Sequence, residues 1–344
     1  MGRRVLLTGH TGFKGAWTAV WLNRLGAQVT GFALAPETEP SLWKEAGAGL
    51  LDAEVIGDLA DREAVGEAVK RARPEIVLHM AAQSLVRRSF ARPVETYATN
   101  LMGTVHLLEA LRRTDGLRAV LVITTDKVYA NSGQGRDFLE DDPLGGHDPY
   151  SASKAAAEMA TASYAASFFD DSGIPIATAR AGNVIGGGDW SEDRLIPDVW
   201  RAAAKGEAVA LRNPEATRPW QHVVEPIAGY FAYVEALVRG AEVPRALNFG
   251  PLPGEKMSVS QIAEAMGEAL GAGRLWRKDE IPAPSEMKQL SLDPSKAIGA
   301  LGWRPRLSCA EAVRWSAHWY SEREKGGEPL RLCQAQIEEY EALA

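Results

Sequence analysis

Seven residues near the N-terminus, Gly9-His10-Thr11-Gly12-Phe13-Lys14-Gly15, follow a short apolar run from Arg4 to Thr8 and open a helical stretch from Lys14 to Leu25. Glycines spaced G-x-x-G-x-x-G at a strand-to-helix junction confine the chain to a βα turn that offers backbone to a ligand. Gly9 permits the tight turn, Gly12 lets the backbone approach a pyrophosphate, and Gly15 lets helix and strand pack closely. The unpaired amides of the helix start, with its dipole, attract the anion. Thr11, Phe13 and Lys14 belong to the same turn, so a dinucleotide site is expected here.

The rest of the first half repeats the pattern. Val29 to Ala33, Glu54 to Gly57, Ile76 to Ala82, Ala119 to Thr125 and Pro175 to Ala181 read as strands, and Asp61 to Ala72, Val94 to Arg113 and Tyr150 to Phe169 as helices. Val120-Leu121-Val122-Ile123 is apolar on consecutive residues, as parallel strands covered on both faces require. The expected class is α/β: a doubly wound, mostly parallel Rossmann sheet with a smaller C-terminal substrate-binding lobe. Beyond residue 181 the chain turns rich in Gly and Pro. Residues 1–181, with a returning segment 223–250, are expected to form the NAD-binding domain, and 182–222 with 251–344 mainly the lobe.

Composition narrows the partners. In 344 residues, 38 Lys plus Arg face 45 Asp plus Glu, a net charge of −7, which leaves no cationic excess for a nucleic acid or an anionic membrane. No apolar run reaches membrane-spanning length, and no cleavable leader pattern opens the chain. The two cysteines, Cys309 and Cys333, show neither C-x-x-C nor metal-ligand spacing, so neither a disulfide framework nor a metal is expected, and a cytoplasmic, reducing setting fits.

A Rossmann unit usually places an acid after its second strand to grip the adenosine ribose. Here that strand ends Gly31-Phe32-Ala33-Leu34-Ala35-Pro36, without an acid and without an Arg for a 2′-phosphate, so NAD over NADP is a preference. Asp58-Leu59 fits two roles: a partner for the adenine amino group, or a helix cap.

Tyr150-Ser151-Ala152-Ser153-Lys154 places a phenol and an ammonium on one helix face. A free phenol ionises near pH 10; bringing it to neutrality takes roughly 4 kcal/mol, which a nearby Lys⁺ and an oxidised nicotinamide in a desolvated site can supply. Tyr150 then takes a proton from a substrate hydroxyl.

With these features the chain resembles the extended class of the short-chain dehydrogenase/reductase superfamily, through Thr8 to Gly15, Tyr150 to Lys154, and Asn100 of Tyr97-Ala98-Thr99-Asn100. Within that class, Gly9 to Gly15, Thr124-Thr125-Asp126-Lys127-Val128-Tyr129, Gly182-Asn183-Val184-Ile185-Gly186-Gly187-Gly188-Asp189-Trp190 and Arg218-Pro219-Trp220-Gln221-His222-Val223 are similar to the CDP-glucose 4,6-dehydratases. The resemblance implies NAD as a cofactor that takes a hydride and returns it, a nucleotide-sugar substrate, and Tyr150 and Lys154 as catalytic groups that also meet the cofactor. It implies Asp126 as the elimination acid, with a pKa raised by burial, and Thr125 as the residue that orients the hexose. Lys127 stands where many sugar-nucleotide dehydratases carry Glu. It is assigned to the elimination, either as a neutral C5 base or as a stabiliser of the C4 enolate.

His79-Met80-Ala81-Ala82-Gln83-Ser84 resembles the segment along the nicotinamide ribose, which adds Ala81 and Ala82 to the cofactor set; a buried structural role is the other reading of His79. Asn183, Arg194 and Arg218 are candidates for the substrate's pyrophosphate and base. Trp190 and Trp220 fit either the sugar nucleotide or the packing of the lobe. A homodimer through the helices Val94 to Arg113 and Tyr150 to Phe169 is expected. The alternatives are a sugar-nucleotide C4 epimerase, which needs no elimination acid, and a catalytically silent NAD-binding regulator.

Overall fold

The computed structural model describes residues 2–131, 133, 135–279 and 290–343. The apolar runs form strands β1 (Arg4–Thr8), β2 (Gln28–Ala33), β3 (Ala53–Ile56), β4 (Ile76–His79), β5 (Ala119–Ile123), β6 (Ile176–Ala181) and β7 (Ala246–Phe249). These make one parallel sheet in the order β7-β6-β5-β4-β1-β2-β3. Between and after them come helices α1 (Phe13–Arg24), α2 (Arg62–Ala72), α3 (Gly103–Leu111), α4 (Pro149–Tyr164), α5 (Leu195–Lys205), α6 (Val224–Val238), α7 (Val259–Ala269), α8 (Cys309–Glu324) and α9 (Pro329–Ala342). The strand order reverses between β1 and β4, so both β1 and β4 open their carboxyl ends onto one crevice, where ligands bind in such sheets.

Alternation along the strands explains the double cover. Val5, Leu7, Leu121 and Ile123 pack with Trp17 and Val20 of α1 and Ile227 and Tyr230 of α6. Leu6, Val120 and Val122 point the other way, onto Val65 and Val69 of α2 and Leu107, Leu108 and Leu111 of α3. Every residue of β5 is buried, and each large side chain there contributes about 1.5–3 kcal/mol.

Three local departures from the sequence reading have visible causes. The strand expected over Ile76 to Ala82 stops at His79: the Met80 amide is shared between the Thr8 carbonyl at 3.3 Å and the Thr8 hydroxyl at 3.1 Å, and the Ala81 amide goes to that hydroxyl at 3.1 Å. The helix expected over Val94 to Arg113 runs on helical backbone from Pro93 to Leu111, with a π-turn at Ala98–Met102 between Pro93–Tyr97 and α3. Asp58 does not cap the helix that follows it; Asp61 does, accepting from the amides of Glu63 and Ala64.

Beyond β6, α7 packs on α5 and α8, and short strands pair at Val209–Leu211 with Trp276–Lys278 and at Thr217–Arg218 with Met257–Ser258. The last helix, α9, returns to α1: Trp21 meets Tyr340 edge-on, its indole N–H donates to Glu341 at 2.9 Å, and Arg24 pairs with Glu338 and Glu341. Among the described residues no helix is long and apolar enough to cross a membrane.

Candidate active site

The crevice is a cavity of about 1410 Å³ whose walls come from the fingerprint turn, the ends of β2, β4 and β5, the start of α4, and the segment 181–198 of the lobe. Single-ligand pockets are roughly 300–1,000 Å³, so there is room for a dinucleotide and a second ligand. Gly9 and Gly15 build its floor. Gly9 has φ +80°, and a Cβ there would lie 2.7 Å from the Ala81 amide nitrogen; a Cβ on Gly15 would lie 2.0 Å from the Gly9 carbonyl oxygen. Thr11, Gly12, Phe13, Lys14, Asp58, Leu59, Ala81 and Ala82 all line the cavity.

At its inner end stand Tyr150, Thr125, Asp126, Lys127 and Lys154. The short turn Asp126–Val128 at the end of β5 places three of them: the Thr125 hydroxyl receives the Lys127 amide at 3.4 Å and donates to Asp126 Oδ1 at 2.9 Å. Asp126 is 1% exposed, and its Oδ2 is buried without a partner. Burial raises its carboxyl above the usual carboxylate range, against the pull of Lys127, Thr125, Arg218 and Lys14. Such a carboxyl can arrive protonated. Asp148 caps α4 by accepting the Ser151 amide, and this fixes the first turn that carries Tyr150. Burial pushes the Tyr150 phenol up to about 12; a hydrogen bond with Thr125 and the charge of Arg194 pull it down, while Asp126 and Asp148 push it up.

Lys154 lies one turn on, with its amine donating to the Ile123 carbonyl at 2.8 Å. Burial lowers it to about 8, opposed by Glu158. The amine is thus anchored to the end of β5, and the groups acting on the phenol are Thr125, Asp126, Arg194 and Asp148. Beneath lies a buried network. Arg180 grips both carboxylate oxygens of Glu158 and donates to the Tyr129 hydroxyl and the Glu140 carbonyl; Thr124 donates to Glu158 at 2.5 Å; Tyr129 donates to Asn248 at 2.6 Å. It locks α4 to β5, β6 and β7.

Asn100 is not brought to the cavity. Its amide receives the Gln83 N–H and donates to the Gln83 carbonyl and Ser153 hydroxyl, tying loop 80–85 to α4. His79 is likewise internal, held between the hydroxyls of Thr8 and Thr104. Trp190 belongs to an aromatic cluster with Trp200, Trp319 and Tyr320, and the Trp220 indole donates to the Met257 carbonyl, so both pack the lobe even where an edge reaches the cavity.

Asn183, Arg194 and Arg218 line the lobe side. Arg194, at the start of α5, donates to the Ser84 hydroxyl at 3.2 Å and lies near enough to act on Tyr150 and Lys14; Arg218, 5% exposed, acts on Asp126. Both cations therefore stand at the Tyr150 and Asp126 end of the cavity. Ion pairs also strap the two sides together: Arg87 with Asp193 at 2.7 Å and Arg88 with Glu192 at 3.2 Å.

Two features escaped the sequence reading. Glu37, one residue past the stretch searched for a ribose acid, lines the cavity and pairs with Arg88 at 2.5 Å. Lys14 turns inward, its amine 3.4 Å from the Tyr230 hydroxyl, where burial lowers it to about 7. A lysine between Phe13 and Gly15 in a turn packed on the sheet is the available signal for the second; nothing marked Tyr230.

The cradle fits a dinucleotide on its geometry: the Gly9 and Gly15 contacts leave no space for side chains between turn and sheet, while a Cβ on Gly12 would have a single neighbour, the Gly9 carbonyl oxygen at 3.5 Å.

Residues 5–250 match the model of the NAD dependent epimerase/dehydratase family. The CDP-glucose 4,6-dehydratase of Salmonella typhimurium is 42% identical over 345 residues, covering 98% of this chain and 96% of that protein. Among solved structures, the UDP-glucose 4-epimerase of Thermus thermophilus in complex with NAD superposes with a TM-score of 0.77 at 27% identity, covering 92% of this chain and 98% of that one. The dTDP-glucose 4,6-dehydratase of Bacillus anthracis in complex with NAD shares the fold, with a TM-score of 0.78 at 21% identity and coverage of 95% and 99%. With the family model spanning more than two thirds of the chain and a relative matching nearly all of it, the protein belongs to the NAD dependent epimerase/dehydratase family.

Proposed function

We propose that the protein converts CDP-glucose to CDP-4-keto-6-deoxyglucose and water, with NAD as a cofactor that is not consumed. The observation that carries this reading is the buried Asp126 carboxyl, with Oδ2 unpartnered, beside Tyr150 and Thr125 in one cavity. An epimerase working only at C4 has no use for such an acid; a dehydratase needs it to protonate the departing C6 hydroxyl. The CDP base is supported by the full-length relative from Salmonella typhimurium.

NAD, when bound, would supply the acceptor for the C4 hydride and its source for C6. The turn amides from Gly9 to Gly15 would hold its pyrophosphate, Asp58, Leu59 and Glu37 its adenosine end, and Ala81, Ala82 and Lys154 its nicotinamide end. Tyr150 takes the proton of the C4 hydroxyl, Thr125 orients that oxygen, Asp126 protonates the C6 hydroxyl, and Lys127 serves the C5 proton or the enolate. Arg194 and Arg218 hold the substrate from the lobe side with Asn183.

The segments 1–181 and 223–250 form the cofactor domain, and 182–222 with 251–344 mainly the substrate lobe. Val94 and Met159 are 80% and 64% exposed, and Tyr97, Met102 and Phe168 of the same two helical stretches are also uncovered; a homodimer through these faces would bury them. Two buried free cysteines suit a cytoplasmic enzyme. The test is incubation with CDP-glucose and a panel of other nucleotide hexoses. A 4-keto sugar seen by alkaline absorbance, with a C6 methyl signal by proton NMR, is expected from CDP-glucose. Product retaining its CH₂OH group would refute dehydration.

A further inference from the structure

The nucleotide sugar proposed above, on which this inference rests, brings a diphosphate of its own into the cavity. The turn from Gly9 to Gly15 suits the dinucleotide's pyrophosphate, so the second diphosphate must draw on cations elsewhere in the wall. Arg87 and Arg212 line the same cavity, and so does Asp193, which holds them both. Arg87 belongs to the helix Val86–Ala91 after β4, on the cofactor side, and Arg212 directly follows the lobe strand Val209–Leu211.

Both guanidiniums donate to one oxygen, Asp193 Oδ1, at 2.7 Å from Arg87 and 3.2 Å from Arg212. A single shared oxygen gives neither arginine the paired bonds that its planar fork can make. The oxygens of a phosphate offer such pairs, with more negative charge. The two ion pairs are also partly exposed, so each holds its arginine weakly. The backbone marks the same residue: Asp193 stands at φ +57°, in the left-handed region. Among the described residues Arg73 shares this feature, but it ends α2, where a left-handed residue is ordinary. Asp193 instead precedes Arg194 at the start of α5, where no helix end calls for it. We propose that Asp193 is an internal competitor of the substrate's diphosphate: the two share Arg212, and binding moves this arginine from the carboxylate to the phosphates. Asp193 keeps Arg87, so the exchange strands no charge. The product carries the same diphosphate, so the returning carboxylate helps to release it.

The test is calorimetric titration of the NAD-saturated protein with CDP, in wild type, Asp193→Asn, Arg212→Met and the double variant; thermal unfolding verifies each fold. Asparagine tolerates the left-handed backbone and removes the charge. Asp193→Asn is expected to bind CDP about fivefold more tightly than wild type, the equivalent of one partly exposed ion pair. Arg212→Met is expected to bind it more weakly. On the Arg212→Met background the asparagine has no arginine to release, and the affinity stays where it was. Unchanged or weaker binding in Asp193→Asn overturns the competition. So does equal tightening on both backgrounds, which is the mere loss of a negative charge from the wall. A wild type that binds dTDP or UDP in place of CDP overturns the base assignment alone, and the four proteins are then compared on that ligand. A wild type that binds no nucleoside diphosphate overturns both readings.

Discussion

Lowering the pH from 7 to 5 should destabilise the protein through His79, and the hydrogen bonds around it say why. The Thr8 hydroxyl oxygen accepts the amides of Met80 and Ala81, so its own proton goes to His79 Nδ1, 2.7 Å away. Thr104 donates to the Asn100 carbonyl, so its oxygen accepts the proton of His79 Nε2 at 3.0 Å. Nδ1 must therefore be unprotonated, and an imidazolium has no place. Burial, aided by the charge of Lys154, lowers this histidine from 6.5 to about 3.

Because the folded value lies below the unfolded one, the unfolded chain binds the extra proton. Stability is present above about pH 6.5 and is lost as pH falls from there towards 3. Between pH 7 and pH 5 the two values give a loss of about 2 kcal/mol from this one group. The assay is urea unfolding at both pH values in wild type and His79→Leu. The substitution adds a fixed cost at both, but the pH-dependent loss should be about 2 kcal/mol smaller than in wild type. Subtracting the two removes His222, which is also lowered to about 3, and the buried carboxyls Asp126, Glu140 and Glu225, which are raised and work in the opposite direction. Equal losses in wild type and variant would refute the tautomer argument.

Asp126→Asn keeps the shape but cannot donate the elimination proton; steady-state formation of the C6 methyl by NMR should fall about 10²–10⁴-fold, while thermal unfolding of the cofactor-loaded protein changes little. In wild type the same elimination should weaken as pH rises through the elevated pKa of Asp126, measured as a falling alkaline limb of kcat. Arg180→Met leaves Glu158 buried without its cation, and urea unfolding should record a loss of about 3–5 kcal/mol. Gly15→Ala drives a methyl to 2.0 Å from the Gly9 carbonyl oxygen; NAD affinity measured by calorimetry should drop more than tenfold, which corresponds to about 1.4 kcal/mol.

The sheet was legible because strands buried on both faces leave continuous apolar runs, of which β5 is the plainest, and because glycines mark the one turn where backbone must meet ligand. The candidate site was legible where its residues are local: Thr125-Asp126-Lys127 and Tyr150 with Lys154, which line one cavity, are each written within five residues. What failed was whatever depended on contacts between distant segments. Asn100 looked available until Gln83 and Ser153 consumed its amide. The helix over Val94 to Arg113 kept its apolar period well enough to hide a π-turn. Arg180, Glu158 and Tyr129 lie on β6, α4 and the loop after β5, and no spacing rule joins them. Lys154 had the expected position on its helix, yet the direction of its amine was set by a carbonyl 31 residues away.

The paired charges of Arg87 with Asp193 and Arg88 with Glu192 cross between the helix after β4 and the loop before α5. Arg87, Arg88 and Asp193 all line the cavity, so parting the two segments opens its wall. Because the pairs are partly exposed, dissolved ions weaken them: the Debye length shrinks from about 10 Å at 0.1 M to about 3 Å at 1 M. Escape of the coenzyme should therefore quicken in brine and slow in dilute buffer, making its residence time a property of the medium as much as of the fold.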